Sequence, residues 1–179
     1  MRVGVLAVGN RFAGDDGVGP FVLDAVRDEL PANVVARELD GEPARLLDAW
    51  DGLDAVVLVD AACSGAPAGT VHRVVAVGTS PSPSPSPSPS PSPPAPALDG
   101  TVVGITLPGA PRSTHGAGVA QALGLGRQLG RLPAEVVVIG IEGTRFAPGS
   151  GLTREVAHAM PTAIAAVRAE VERLAAVPA

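Results

Sequence analysis

The chain contains no lysine, and its 13 basic residues are all arginine, scattered rather than gathered into a patch. With a formal net charge of -5 over 179 residues, there is no basic footprint for nucleic acid and no polybasic surface for a membrane. A single cysteine, Cys63, excludes an intramolecular disulfide framework and a multi-thiolate zinc site. Long apolar runs are also missing. The stretch from Val3 to Val8 meets Asn10, Arg11 and two aspartates, so it is too short for a signal peptide or a membrane span. A soluble cytoplasmic protein is expected, with a monomer favoured.

What is present is apolar material, 46% of the residues, enough for one compact core. Val3 to Val8 reads as a strand buried on both faces. Val18, Phe21, Val22, Ala25 and Val26 then recur at helical spacing. Val34 to Leu39 reads as a second strand, Pro43 to Trp50 as a short helix, and Ala55 to Val59 as a third strand stopping at Asp60. Gly69 to Val77 reads as a fourth strand, His115 to Leu129 as a helix, and Glu135 to Ile141 as a further buried strand. Thr153 is placed to N-cap a final helix carrying Val156, Met160, Ile164, Val167, Val171 and Leu174. Strands alternating with helices predict an α/β fold of three layers: a twisted, mostly parallel sheet with helices on both faces.

One stretch breaks the order. Ser80 to Pro94 alternates serine and proline almost without exception, and alternate residues without an N–H cannot build a ladder or a helix interior. A single domain over residues 1–179 is therefore expected, carrying a disordered Ser/Pro-rich insertion at about 79–98. Pro91 and Pro94 make one PxxP, which reads either as a docking segment or as a tolerated expansion of a surface loop.

The chemistry is expected at the carboxyl ends of the strands, where open parallel sheets bind ligands. The loop "AVGNRFAGDDGVGP", residues 7–20, follows the first strand, and Asp60 follows the third. A helix starting through Ser113, Thr114 and His115 begins near the same edge, so Asp16, Asp60 and His115 form a candidate metal site. Crowded carboxylates raise one another's pKa unless a cation neutralises them. Two carboxylates and an imidazole with open positions suit nickel, zinc, iron or manganese, which the sequence does not rank. Taken singly, each residue has a plainer reading: Asp15 or Asp16 as N-cap, Asp60 as a turn residue, His115 as an early helical residue. Cys63 reads as a small buried hydrophobe, and His72 and His158 as structural or solvated residues outside the site.

Four blocks carry a family resemblance. "GVLAVGNRFAGDDGVGPFVLDAV" resembles the opening of the [NiFe]-hydrogenase maturation endopeptidases, with Gly-Asn, an acidic pair and Gly-x-Gly after a strand. "AVVLVDAACSGAPAGTVHRV" resembles their strand ending in a ligand aspartate, followed by a Gly-Thr strand. "RSTHGAGVAQALGLGRQLGRLP" resembles their Ser-x-His at the start of a helix, and "VVVIGIEGTRFAPGSGLTREV" their last strand and final helix. The resemblance covers essentially the whole chain except the Ser-Pro tract.

It implies a phosphorylase/hydrolase-like α/β fold and an endopeptidase that removes a C-terminal extension from the hydrogenase large-subunit precursor after nickel insertion. By position it assigns metal recognition and catalysis to Asp16, Asp60 and His115, with the nickel carried by the substrate rather than bound permanently. A carboxylate or a metal-polarised water would assist hydrolysis.

Two other classes of function stay open on the sequence. A non-catalytic metal-sensing or maturation scaffold would use the same cleft, and a cleavage assay separates it from a peptidase. A nucleotide-binding Rossmann-like protein would use Glu38 or Asp40 as its ribose acid. The opening loop does not fit G-x-G-x-x-G, and Asp15 and Asp16 would repel a pyrophosphate.

Overall fold

The structure, a computed structural model, describes residues 1–78 and 114–176. The Ser/Pro-rich insertion lies outside the described residues. Among the described residues five strands, β1 (Val3–Val8), β2 (Val34–Leu39), β3 (Ala55–Ala62), β4 (Val71–Val77) and β5 (Glu135–Glu142), form one sheet in the order β2-β1-β3-β5-β4. All pairings are parallel except that of β4 with β5. The antiparallel strand therefore closes one edge of an otherwise parallel sheet.

The apolar runs occupy the interior. Every residue of β1 and β3 is buried, as parallel strands covered on both faces require, whereas the edge strands β2 and β4 are only partly covered. The α-helices among the described residues are α1 (Val18–Arg27), α2 (Pro43–Trp50), α3 (Thr114–Gln128) and α4 (Arg154–Ala175). On one face Val18, Val22, Leu23 and Val26 of α1 join Val156, Ala163, Val167 and Leu174 of α4 over Val5, Val57 and Ile139. On the other, Leu46, Leu47 and Trp50 of α2 join Val119, Ala122 and Leu123 of α3 over Leu6, Val56, Leu58 and Val136. The result is the expected three-layer sandwich. Each large side chain buried this way contributes about 1.5–3 kcal/mol.

Two local expectations are corrected. β3 does not stop at Asp60 but runs on to Ala62, because Asp60, Ala61 and Ala62 stay in register with Gly140, Ile141 and Glu142 of β5. Thr153 stands at the N-cap position of α4 without capping it by its side chain. Its hydroxyl donates instead to Asp15 Oδ1 at 2.9 Å. A hydrogen bond to an ionised carboxylate is stronger than one between neutral groups, and it sets the direction of the hydroxyl.

The strand order reverses between β1 and β3, since β2 lies to one side of β1 and β3 to the other. That crevice, at the carboxyl ends, is where an open α/β sheet accepts a ligand.

Candidate active site

The loop after β1 enters a single 3₁₀ turn, Gly14–Gly17, before α1 begins. Gly9 makes the exit from β1 possible. Its φ is 137°, and a Cβ there would stand 1.9 Å from the Asp16 carbonyl oxygen, so the chain folds back on itself where only glycine fits. The Asn10 N–H donates to Asp16 Oδ2 at 2.7 Å. Arg11 pins the outside of the loop, bonding Asp24 of α1 and Glu38 of β2.

The adjacent aspartates divide their tasks. Asp15 is fully buried; its Oδ2 accepts from the N–H groups of Thr144 and Arg145, and its Oδ1 from the N–H and hydroxyl of Thr153. Burial pushes this carboxyl up, but those donors outweigh it and hold it below the usual aspartate range. Asp15 thus fastens the acidic loop to the chain between β5 and α4.

Asp16 and Asp60 are brought together from the two sides of the crevice. They are 3% and 5% exposed, so water screens them little. Asp60 Oδ1 accepts from the Ala61 N–H at 2.8 Å. Burial, and next the negative charge of Asp16, push the Asp60 carboxyl well above its usual range despite that bond. Carboxyls pushed up by burial and a neighbouring like charge cluster at functional sites.

His115 lies in the first turn of α3, and its side chain lies outside the described residues. The backbone still says which end of the sheet this turn occupies. One turn further on, a Cβ at Gly118 would stand 1.9 Å from the carbonyl oxygen of Gly41, just past the carboxyl end of β2. At the other end of α3, Gly126 packs on Leu132 and Leu47. The helix therefore starts at the edge where Asp16 and Asp60 stand, over the face from which Asp60 projects with Val56 and Leu58. Among the described residues no group of three His, Cys, Asp or Glu side chains is arranged to hold a metal ion.

The remaining candidates fall into place. Cys63 is half-buried and carries a free thiol, rather than being enclosed as a core residue. Glu38 and Asp40 are ion-paired with Arg11 and Arg45, and line with Gly9 and Leu39 an open cavity of about 390 Å³. His72 is half-buried, and its Nε2 faces Glu142 Oε2 at 3.3 Å. Glu142, 2% exposed, escaped the sequence reading because a glutamate at the end of an apolar strand carries no signal of burial. The partners that reveal it, Ser64 and Gly65, are far away in sequence.

No described helix is long and apolar enough to cross a membrane. No family model and no curated protein matches the sequence. Solved structures do match. The hydrogenase maturating endopeptidase HybD from Escherichia coli superposes with a TM-score of 0.74 at 23% identity, over 97% of this chain and 93% of that one. The [NiFe] hydrogenase maturation protease HybD from Thermococcus kodakarensis gives 0.67 at 22%, over 96% and 99%. The hydrogenase 2 maturation peptidase from Thaumarchaeota archaeon SCGC_AB-539-E09 gives 0.61 at 25%, over 96% and 98%. Sheet, helices and crevice together are thus an arrangement already known, and the chain has the fold of the hydrogenase maturation endopeptidases.

Proposed function

We propose that this chain is a cytoplasmic endopeptidase that removes the C-terminal extension of a [NiFe]-hydrogenase large-subunit precursor after nickel insertion. Asp16, Asp60 and His115 recognise the metal that the precursor carries. The observation that supports this reading most is the buried pair of Asp16 and Asp60 at the crevice, in which Asp60 is pushed well above its usual range. Two buried carboxylates resist double ionisation, and a divalent cation removes that resistance. Their oxygens with one imidazole are a donor set suited to nickel.

The consequence is selectivity for a loaded substrate. A metal-free precursor meets a buried pair in which Asp60 resists ionisation, and offers it no compensating cation. A nickel-bearing precursor supplies the positive charge that offsets that resistance and is drawn into the crevice, with its C-terminal segment beside the two carboxylates. A carboxylate oxygen of the pair then accepts a proton from the attacking water, and the proton passes to the departing amide nitrogen. Asp15 acts at one remove, by holding the loop that presents Asp16.

The test is incubation of the purified protein with nickel-loaded and nickel-free forms of a C-terminally extended large subunit from the same cell, followed by mass measurement. Loss of a short C-terminal peptide from the loaded form alone is expected. Equal cleavage of both forms would remove the metal-recognition role, and cleavage of neither by folded protein would favour a metal-sensing scaffold over a peptidase.

A further inference from the structure

Glu142 is a buried carboxylate that the cleavage chemistry above does not use. It closes β5, in register with Ala62 of β3, while Gly140 is in register with both Asp60 of β3 and His72 of β4. Paired residues project to one face, so Asp60, His72 and Glu142 share the face covered by α2 and α3, with no side chain at Gly140 between Asp60 and His72.

The surroundings of Glu142 are fully specified. Its Oε1 accepts from the N–H groups of Ser64 and Gly65 at 2.7 and 2.8 Å. Its Oε2 accepts from the Ser64 hydroxyl at 2.9 Å and faces His72 Nε2. The backbone continues the same fastening: Glu142 N–H donates to Thr70 O, Gly69 N–H to Glu142 O, and Gly143 N–H to Ala62 O. These bonds fall on the stretch from Ala62, at the end of β3, to His72, at the start of β4.

We propose that Glu142 is a positioning residue for the reacting pair. It gathers the Ser64–Gly65 turn against the end of β5 and so fixes the Asp60–Ala62 stretch from which the Asp60 carboxylate is presented. Beyond Val59, where β1 stops pairing with β3, the stretch is held by β5 alone, and the Glu142 side chain adds a second fastening at its end. This role rests on the reading of Asp16 and Asp60 as the reacting pair. Its structural half stands apart from activity, because the Ala61 N–H that bonds Asp60 Oδ1 reports directly on the fixed segment.

The chemistry of the contact predicts which substitutions are tolerated. In Glu142→Gln the amide oxygen still accepts from both backbone N–H groups, and its NH₂ donates to the Ser64 oxygen or a neutral His72. In Glu142→Ala the three donors of Ser64 and Gly65 lose their acceptor.

The experiment measures amide hydrogen exchange at Ala61, Ser64, Gly65 and Gly143, together with kcat and KM for precursor cleavage. Expected in Glu142→Ala is exchange faster by about tenfold or more at all four amides. Its kcat falls by about tenfold or more with KM little changed, since misplacement of reacting groups costs rate. Glu142→Gln restores both. Faster exchange at Ser64 and Gly65 alone, with Ala61 and Gly143 unchanged, would overturn the proposal, as would a Gln variant impaired as much as Ala. If Glu142→Ala does not fold, Glu142→Asp, which withdraws the carboxylate by one methylene, is read at the same amides and against the same two outcomes. If even the unaltered protein cleaves no precursor, the peptidase reading fails, while exchange at Ala61 and Gly143 still decides the positioning role.

Discussion

Asp15 and Asp60 are buried carboxylates with opposite balances. Asp15 meets its donors at both oxygens, and removing it leaves three backbone N–H groups and a hydroxyl without their acceptor. Asp15→Ala is expected to lower unfolding stability by about 3 kcal/mol, read from denaturant midpoints; a loss within the range of surface substitutions would show that water replaces the carboxylate freely. Asp60 instead binds its proton more tightly folded than unfolded. Its contribution therefore favours the folded state below the ordinary carboxylate range and is lost as pH rises through the raised value. Asp60→Asn, which keeps the shape and discards the charge, should raise the melting temperature of metal-free protein, by a margin that widens from acid to neutral pH, while abolishing cleavage. Parallel melting curves for the two proteins at all pH values would contradict the reading. Stability withheld at a reacting group is a common cost of function.

At the scale of elements, the placing of α3 decides where His115 stands. The contact of Gly118 with the Gly41 carbonyl leaves no room for a methyl group, so Gly118→Ala must move the first turns of α3 away from β2. Cleavage should fall by about tenfold or more, although alanine is the better helix former. Unchanged cleavage would mean that the start of α3 takes no part. A second element-scale contact joins α4 to the edge strand: Glu170 bonds Arg73 of β4 and Arg173. The Arg73 bond lowers the Glu170 carboxyl, burial opposes, and Arg173 adds to the lowering. This stabilisation is present above the unfolded glutamate pKa and is lost as pH falls through the lowered folded value. Glu170→Gln should cost about 1 kcal/mol at neutral pH and nothing in strong acid, measured by melting at both; an equal cost in acid would assign the effect to packing.

Periodicity made these elements legible. β1, β2 and α2 lie where apolar spacing puts them, and two adjacent aspartates beside a buried strand draw attention to the loop that follows β1. The extension of β3 past Asp60 was not legible, because it depends on bonds to Gly143 and Glu142, which are remote in sequence. Asp15 and Asp16 likewise could not be told apart by residue type. The family resemblance singles out Asp16 by position, and the partners supplied by Thr144, Arg145 and Thr153 show what Asp15 does instead.

For the whole molecule, the Ser-Pro tract raises a question of reach. The end of β4 and the start of α3 lie at opposite ends of the sheet, a distance of about 22 Å, the length of a 15-residue helix. About seven extended residues span that. Excision of residues 80–94 therefore leaves ample chain, and melting temperature and cleavage should both stay unchanged; a loss of cleavage alone would make the tract a substrate-docking segment. The crevice itself joins loops from β1, β3 and β5, which the acidic pair and its supports bring to one edge of the sheet. The most direct test of that convergence is the mass of nickel-loaded precursor after incubation with Asp16→Asn protein, with folding verified by its melting curve. Intact precursor is the result expected, because Asn cannot take up the proton or balance the metal's charge. Release of the C-terminal peptide at the unaltered rate would contradict the assignment of the reaction to this pair.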